Sequence, residues 1–275
     1  MNIFINILVA FICLVIGYIL GSANISIPIG KLIFKQDPRD YGSHNCGATN
    51  CGRIWGKKYF FIVFFFDVFK TIAPLYICWA ILTYVPMNNG SPLLPTAFEM
   101  YKGETSAYMI QWPVYWIACL GATLGNVFPL FTQFRGGKAA STYIGLAVTT
   151  SWGFGVIGLI SYLGTLAKWH YVSLSSILTG IINVVVTWVW AILVQFRVMP
   201  ADNIYLVFII QWGSMLYCNY IYAIVMTIMV AVMIARHHQN IARLRAGNER
   251  VFTWWKKDKQ QEIAQEQQSK EQVNN

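Results

Sequence analysis

Six stretches of this chain are predominantly apolar: residues 3–29, 59–85, 112–132, 139–167, 172–195 and 204–235. Each is long enough to cross a hydrocarbon core, which takes roughly 20 residues as a helix. Composition points the same way. The chain is 56% hydrophobic and 11% charged, against about 25% charged in a soluble domain. The expected fold class is an all-α integral membrane protein with several spans. No Lys or Arg precedes the first apolar run, so it lacks the basic flank of a cleavable leader and reads as a retained span.

The net charge of +9 is concentrated at two places. Lys31, Lys35, Arg39, Arg53, Lys57 and Lys58 follow the first run, and Arg236, Arg243, Arg245, Arg250, Lys256, Lys257, Lys259 and Lys270 follow the last. Basic loops beside spans are a topology signal and not a nucleic-acid surface. Six crossings would put the two clusters on opposite sides of the membrane, whereas the positive-inside rule puts them on one side, so the number of crossings is odd. The run 139–167 is interrupted by "TTSWGFG" at 149–155, a breaker cluster. It reads as two short helices, about 139–150 and 153–168. The result is seven transmembrane helices, with the N-terminus outside and the C-terminus cytoplasmic. A re-entrant hairpin at 139–168 would give five crossings and similar loop sides. Glu99 and Glu104 with a single Lys102 suit an outer loop at 86–111, and Lys168 and His170 fall inside. Residues 1–253 read as one membrane domain, and 254–275 as a polar cytoplasmic tail without apolar period.

Three polar stretches then share the cytoplasmic face: "YGSHNCGATNCGR" (41–53), "GNVFPLFTQFRGGKAAST" (125–142) and "RHHQNIARLRAGNE" (236–249), joined by "HYVSLSS" (170–176). In the first, Gly42, Gly47 and Gly52 allow backbone amides to turn inward. Ser43, Asn45, Thr49 and Asn50 supply neutral hydrogen-bonding groups, and Arg53 supplies a fork for phosphate. In the second, Gly136 and Gly137 leave N–H groups exposed between Arg135 and Lys138, an anion nest in its physics, with Lys138 opening a helix whose N-terminus favours anions. The Walker spacing is absent. In the third, His237, Asn240 and Arg243 recur every three residues along one helix face. Asp67 and Lys70 stand three apart inside a span, where charges are normally paired; theirs is read as a structural pair. Cys46, Cys51 and His44 do not reach the ligand number of a zinc site, so no metal is expected. Trp112, Trp116, Trp152, Trp169, Trp212, Trp254 and Trp255 lie near span ends, as interfacial rings do.

On these residues the chain resembles the bacterial acyl-phosphate:glycerol-3-phosphate acyltransferases, the PlsY family. Gly42, Ser43, Asn45, Gly47, Ala48, Thr49, Asn50 and Arg53 match that family's G-S-x-N-x-G-A-T-N loop with its following Arg. Phe134 to Lys138 match its F-K-G-G-K loop, with Arg135 for Lys. His237, Asn240, Ile241, Arg243, Leu244, Gly247 and Glu249 match H-x-x-N-I-x-R-L-x-x-G-x-E. "GYILGS" at 17–22, the Asp67/Lys70 pair and "YVSLSS" at 171–176 also resemble the family. Besides Arg135, the chain departs from the family pattern at three positions: Asn126 stands where His is usual, and His44 and Ala139 where Gly is usual. The loop at 86–111 is also longer than usual.

The resemblance implies seven helices, a cytoplasmic-face site and no coenzyme. It implies acyl transfer from an acyl phosphate to the 1-hydroxyl of glycerol 3-phosphate, giving lysophosphatidic acid. Ser43, Thr49 and Arg53 are then expected at the donor phosphate, with Gly42, Asn45, Arg135, Gly136 and Gly137 completing the anion cradles. Lys138, Ser175, Ser176, His237 and Asn240 are expected around glycerol 3-phosphate, with Glu249 structural. His237 acts as a base, or orients the attacking hydroxyl while a donor phosphate oxygen takes the proton. The competing classes are an anion transporter, which places polar groups at the bilayer midplane, and a CoA-dependent acyltransferase with His-x-x-x-x-Asp, a spacing that no His of this chain has.

Overall fold

The computed structural model describes residues 3–150, 152–198 and 216–252. It is mainly helical: α1 (Ile3–Gly21), α2 (Ser26–Ile29), α3 (Ala48–Trp55), α4 (Lys57–Tyr84), α5 (Ala97–Lys102), α6 (Ile117–Val127), α7 (Ala140–Thr150), α8 (Trp152–Trp169), α9 (Val172–Gln195), α10 (Tyr220–Arg236) and α11 (His238–Arg245). One small antiparallel pair, β1 (Pro86–Asn88) and β2 (Ser91–Pro92), follows α4. Among the described residues, four helical stretches are long and apolar enough to cross a membrane: Ile3–Phe34, Lys57–Tyr84, Val114–Thr132 and Val172–Gln195. A fifth is added if α10 and α11, bent by 58° at His237, are taken together. The expected break of 139–167 falls between α7 and α8. Residues 204–215 of the last apolar run, and the tail 254–275, lie outside the described residues.

The first apolar run does not continue as one helix to residue 29. It stops at Gly21 because the Asn24 side chain accepts hydrogen bonds from Ser26 N at 3.0 Å and Ser26 Oγ at 2.7 Å, a local turn that competes with the helix ladder. A short helix and a π turn (Gly30–Phe34) follow, closed by Lys35 at φ +55°.

The most extensive helix contact is between α1 and α6. A Cβ added to Gly17 would strike the Ala118 carbonyl, one on Gly21 the Ala122 backbone, one on Gly121 the Leu14 carbonyl and one on Gly125 the Tyr18 carbonyl. Both helices thus carry glycines four residues apart on facing sides. The two backbones touch, which is how spans associate where lipid offers no hydrophobic drive. Tyr18 seals the end of the seam by donating to Phe128 O at 2.9 Å.

Deep in α4, Lys70 Nζ pairs with Asp67 Oδ1 at 2.7 Å. It also donates to Ala23 O at 3.0 Å, just past α1, and to Asn126 Oδ1 at 2.8 Å, in the last turn of α6. Ser141 Oγ of α7 donates to Asp67 Oδ2 at 3.2 Å. Four segments therefore meet on one buried ion pair, which the spacing of three between Asp67 and Lys70 allows. Removing one member of such a pair costs about 3–5 kcal/mol.

At the opposite end, Thr96 and Glu99 form a capping box at the start of α5, and Tyr108 OH donates to Glu99 Oε1 at 2.6 Å. The long 86–111 loop is an ordered cap rather than a loose excursion.

Replacing Gly121 with Ala or Leu is expected to force α1 off α6. The loss should be at least about 2 kcal/mol, the scale of overpacking, read as a lower unfolding temperature in detergent. The same exchange at Gly164, where an added Cβ meets nothing within 4 Å, should change little.

Candidate active site

The first polar loop is organised by Asn50, which the sequence offered only as one of several neutral hydrogen-bonding groups. Asn50 is 2% exposed. Its amide nitrogen donates to Pro38 O at 2.7 Å, Asn45 O at 2.8 Å and Tyr41 O at 3.1 Å. Its Oδ1 accepts from Ser43 N at 2.7 Å and Ser43 Oγ at 3.0 Å. Gly42 passes this side chain at φ +60°, where a Cβ would collide with Asn50 Oδ1. Asn45 uses its own Oδ1 on Gly47 N at 2.8 Å to start α3. The loop therefore delivers Ser43 with its hydroxyl held by an amide. Thr49 and Arg53 follow one turn apart on α3.

The other two stretches meet through Lys138. Its Nζ donates to Asn240 Oδ1 at 2.7 Å. Asn240 Nδ2 in turn donates to Glu249 Oε1 at 2.6 Å, Arg243 Nε lies 2.8 Å from Glu249 Oε2, and Ser173 Oγ donates to Oε1 at 2.8 Å. Glu249 thus links α9 and α11 and, through Asn240, Lys138. Ser175 and Ser176, expected near substrate, donate instead to Tyr171 O and Val172 O in their own helix, each at 2.9 Å. Ser173, in the same segment, is the one that reaches the network. Arg135 is exposed on the loop before Gly136. Gly136 leaves no room for a Cβ, which would meet Asn126 O and Pro129. Lys138 does not open a helix: Ala139 follows at φ +60°, and α7 begins only at Ala140.

Charge accumulates where these loops meet. Arg53, Arg236 and Arg243 all act electrostatically on Lys138, against one carboxylate, Glu249. Burial, and then Arg243, lower Lys138 to about 8. Burial, and then Arg250, pull Arg53 below its ordinary value. Arg53 has no hydrogen bond or ion pair among the described residues. Burial pushes the Glu249 carboxyl up, but its bonds to Asn240, Arg243 and Ser173 outweigh that and leave it below the ordinary range. A half-buried cation whose side chain has no hydrogen-bonded or ion-pair partner, beside further cations, is an arrangement completed by an anion.

His237 sits at the bend between α10 and α11, 4% exposed. Its Nδ1 lies 2.8 Å from Met233 O. A carbonyl only accepts, so Nδ1 carries the proton and Nε2 keeps its lone pair. Burial lowers His237 to about 4, with the Met233 bond opposing and Lys138 adding to the fall. The ring is neutral at pH 7. Cys46 and Cys51, by contrast, are buried thiols, with Cys51 pushed up to about 12 chiefly by burial. Among the described residues no group of three or more His, Cys, Asp or Glu is arranged to hold a metal.

A family model described as glycerol-3-phosphate acyltransferase matches residues 11–247. The chain belongs to the glycerol-3-phosphate acyltransferase family. A glycerol-3-phosphate acyltransferase of Staphylococcus haemolyticus (strain JCSC1435) is 30% identical over 243 residues, covering 88% of this chain and 98% of the relative. One from Mycoplasmopsis synoviae (strain 53) is 33% identical over 184 residues, 67% of this chain and 73% of its own. Among solved structures, the glycerol 3-phosphate form of PlsY, an integral membrane glycerol 3-phosphate acyltransferase, superposes with a TM-score of 0.63 at 27% identity, covering 88% of this chain and 95% of that one. Its lysophosphatidic acid form gives 0.61 at 26% identity, covering 88% and 94%. The chain is accordingly a PlsY-like acyltransferase of phospholipid synthesis, built for a membrane.

Two of the departures read from the sequence have a backbone consequence. His44 and Ala139 stand where the family pattern has Gly, and both adopt left-handed backbone, φ +54° and +60°. An L-residue there costs roughly 1–2 kcal/mol, a cost Gly avoids. His44→Gly, at an exposed position, is expected to raise stability by up to about 1 kcal/mol in thermal unfolding.

The depressed Lys138 value sets a pH dependence. Its charge is present below about 8 and is lost as pH rises, so phosphate binding measured calorimetrically should weaken between pH 8 and 10. Lys138→Arg, which keeps its charge, should flatten that profile. For stability the sign is opposite. The unfolded chain holds the Lys138 proton up to its ordinary value, so this group destabilises the fold below pH 8, and the penalty fades as pH rises.

Proposed function

We propose that the chain transfers an acyl group from an acyl phosphate to the 1-hydroxyl of glycerol 3-phosphate, releasing lysophosphatidic acid and phosphate. The reaction is placed at the cytoplasmic face of a bacterial membrane, in a seven-crossing protein with its N-terminus outside. The observation that carries the reading is the unpartnered, half-buried Arg53 beside a cationic cluster closed by a single carboxylate. Two phosphate-bearing reactants suit such a cluster, and both must be held for the reaction to proceed.

Arg53, with Ser43 and Thr49, takes the donor phosphate. Gly42 and Asn45 shape that loop, and Gly136 and Gly137 shape the second cradle under Lys138 and Arg135. Lys138, Asn240 and His237 take glycerol 3-phosphate, with Ser175 and Ser176 lining the helix behind them. The hydroxyl oxygen attacks the acyl carbonyl carbon. The new ester C–O bond forms as the carbonyl–phosphate C–O bond breaks, and phosphate leaves with the bonding pair. Burial pushes His237 well below its ordinary value, which makes Nε2 a poor proton acceptor, whereas the leaving phosphate gains negative charge, and with it basicity, as its C–O bond breaks. The proton therefore passes to a donor phosphate oxygen, and His237 Nε2 orients the hydroxyl. Ser43 is not a nucleophile in this scheme, because its hydroxyl is bonded to the Asn50 amide and not to a base. Catalysis rests on positioning and on cations facing the leaving group.

Purified chain given glycerol 3-phosphate and either palmitoyl phosphate or palmitoyl-CoA should yield lysophosphatidic acid only from the phosphate, as read by mass spectrometry; product from the CoA ester alone would overturn the reading. Arg53→Ala and Lys138→Ala should each lower kcat/KM by about 10²–10³, the scale of losing one preorganised donor. His237→Gln, which retains an acceptor, should keep more activity than His237→Ala.

A further inference from the structure

The three loops leave unexplained why Lys138, which follows two glycines and precedes a left-handed residue, should point anywhere in particular. The neighbouring bonds answer this. Asn126 is 3% exposed in the last turn of α6. Its Oδ1 accepts from Lys70 Nζ at 2.8 Å, and since an ammonium offers only donors, this bond fixes which way the amide faces. The Nδ2 end has no hydrogen-bond partner, and the amide as a whole lies against Gly137, where an added Cβ would be 3.3 Å from Nδ2 and 3.5 Å from Oδ1. The Asn126 carbonyl accepts from Gly137 N at 2.9 Å, and Gly136 is pressed against the same carbonyl. On the other side of Lys138, Ser141 Oγ donates to Asp67 Oδ2 at 3.2 Å. The backbone carrying Lys138 is thus gripped one residue before and three residues after, through the two members of one buried ion pair.

We infer that Asn126 is a positioning residue for Lys138, transmitting the placement of the Asp67–Lys70 pair to the Gly136–Gly137–Lys138 cradle, with Ser141 as the second grip. Asn126 touches no reacting atom. Its role is to keep the Lys138 ammonium on Asn240 and available to the phosphate of glycerol 3-phosphate, so the inference rests on the functional reading above. An apolar side chain of the same size would remove the unpaired Nδ2 but would also take away the acceptor that holds the amide to Lys70. The acceptor is therefore the essential part of the side chain.

The test is a double-mutant cycle in nanodiscs, with KM for glycerol 3-phosphate and kcat measured separately. Asn126→Leu is expected to raise KM about tenfold, with kcat changed less. In Lys138→Met it should add no further rise, because there is no ammonium left to position. Asn126→His, whose imidazole keeps an acceptor nitrogen, should return KM to within about twofold of the starting chain. Ser141→Ala, a milder change, should raise KM a few-fold and also be silent in Lys138→Met. Additive KM effects in the cycle, or wild-type KM in both Asn126→Leu and Ser141→Ala, would overturn the inference. If Asn126→Leu does not fold, the Ser141→Ala cycle decides. Should the starting chain show no acyl transfer, the functional reading fails on its own. The positioning role is then read from the rise in unfolding temperature given by inorganic phosphate: its retention in Asn126→Leu would sink the inference, and its loss would support it.

Discussion

The backbone contact between α1 and α6 is the constraint on which the remainder rests. Because Gly17 and Gly21 lie against Ala118 and Ala122, and Gly121 and Gly125 against Leu14 and Tyr18, the two helices share one register and end together. That brings Ala23, just past α1, and Asn126, near the end of α6, to the same point beside α4. Lys70 can satisfy its three donors only there, on Asp67, Ala23 and Asn126. A lysine in a span is costly unless so enclosed. Close packing thus makes the buried pair affordable, and the pair then fixes the chain on either side of Lys138.

At the membrane-end loops the logic reverses. Within the bundle every charge is closely matched, whereas at the site the cations outnumber the acids. Glu249 is bonded to Asn240, Arg243 and Ser173 and makes no ion pair with Arg53, on which it acts only at a distance. This imbalance is held in place by neutral amides: Asn50 sets the first loop, and Asn240 links Lys138 to Glu249. Neutral donors shape the site without cancelling the field that draws an anion.

Much of this could be read from residue order, and the reasons for the rest are local. The end of α7 at Thr150 and the start of α8 at Trp152 fall in a Thr, Ser and Gly cluster that marks a break in an apolar run too long for one span. The Asp67–Lys70 pair was legible from its spacing of three. Its partners Ala23, Asn126 and Ser141 were not, since they come from distant segments and nothing in a single chain marks who meets whom. The end of α1 at Gly21 was hidden because Asn24 makes its competing turn inside apolar sequence. The start of α7 falls one residue later than the sequence suggested because Ala139 adopts a backbone conformation that its side chain does not advertise. Ser173 escaped notice beside Ser175 and Ser176, as three hydroxyls in four residues differ only in which way the helix turns them. Asn50 carried a motif match but no sign that it would be the hub of its loop.

The cysteines offer a practical consequence. All six are free and none is more than 3% exposed. Thiol labelling requires both access and thiolate character, so these side chains should stay dark to a membrane-impermeant maleimide in the folded protein. A single cysteine introduced into the 86–111 cap, or into the basic segment after α1, would then stand out against a silent background. The sidedness of each loop can be mapped in intact cells without first stripping the native thiols and disturbing the core they fill.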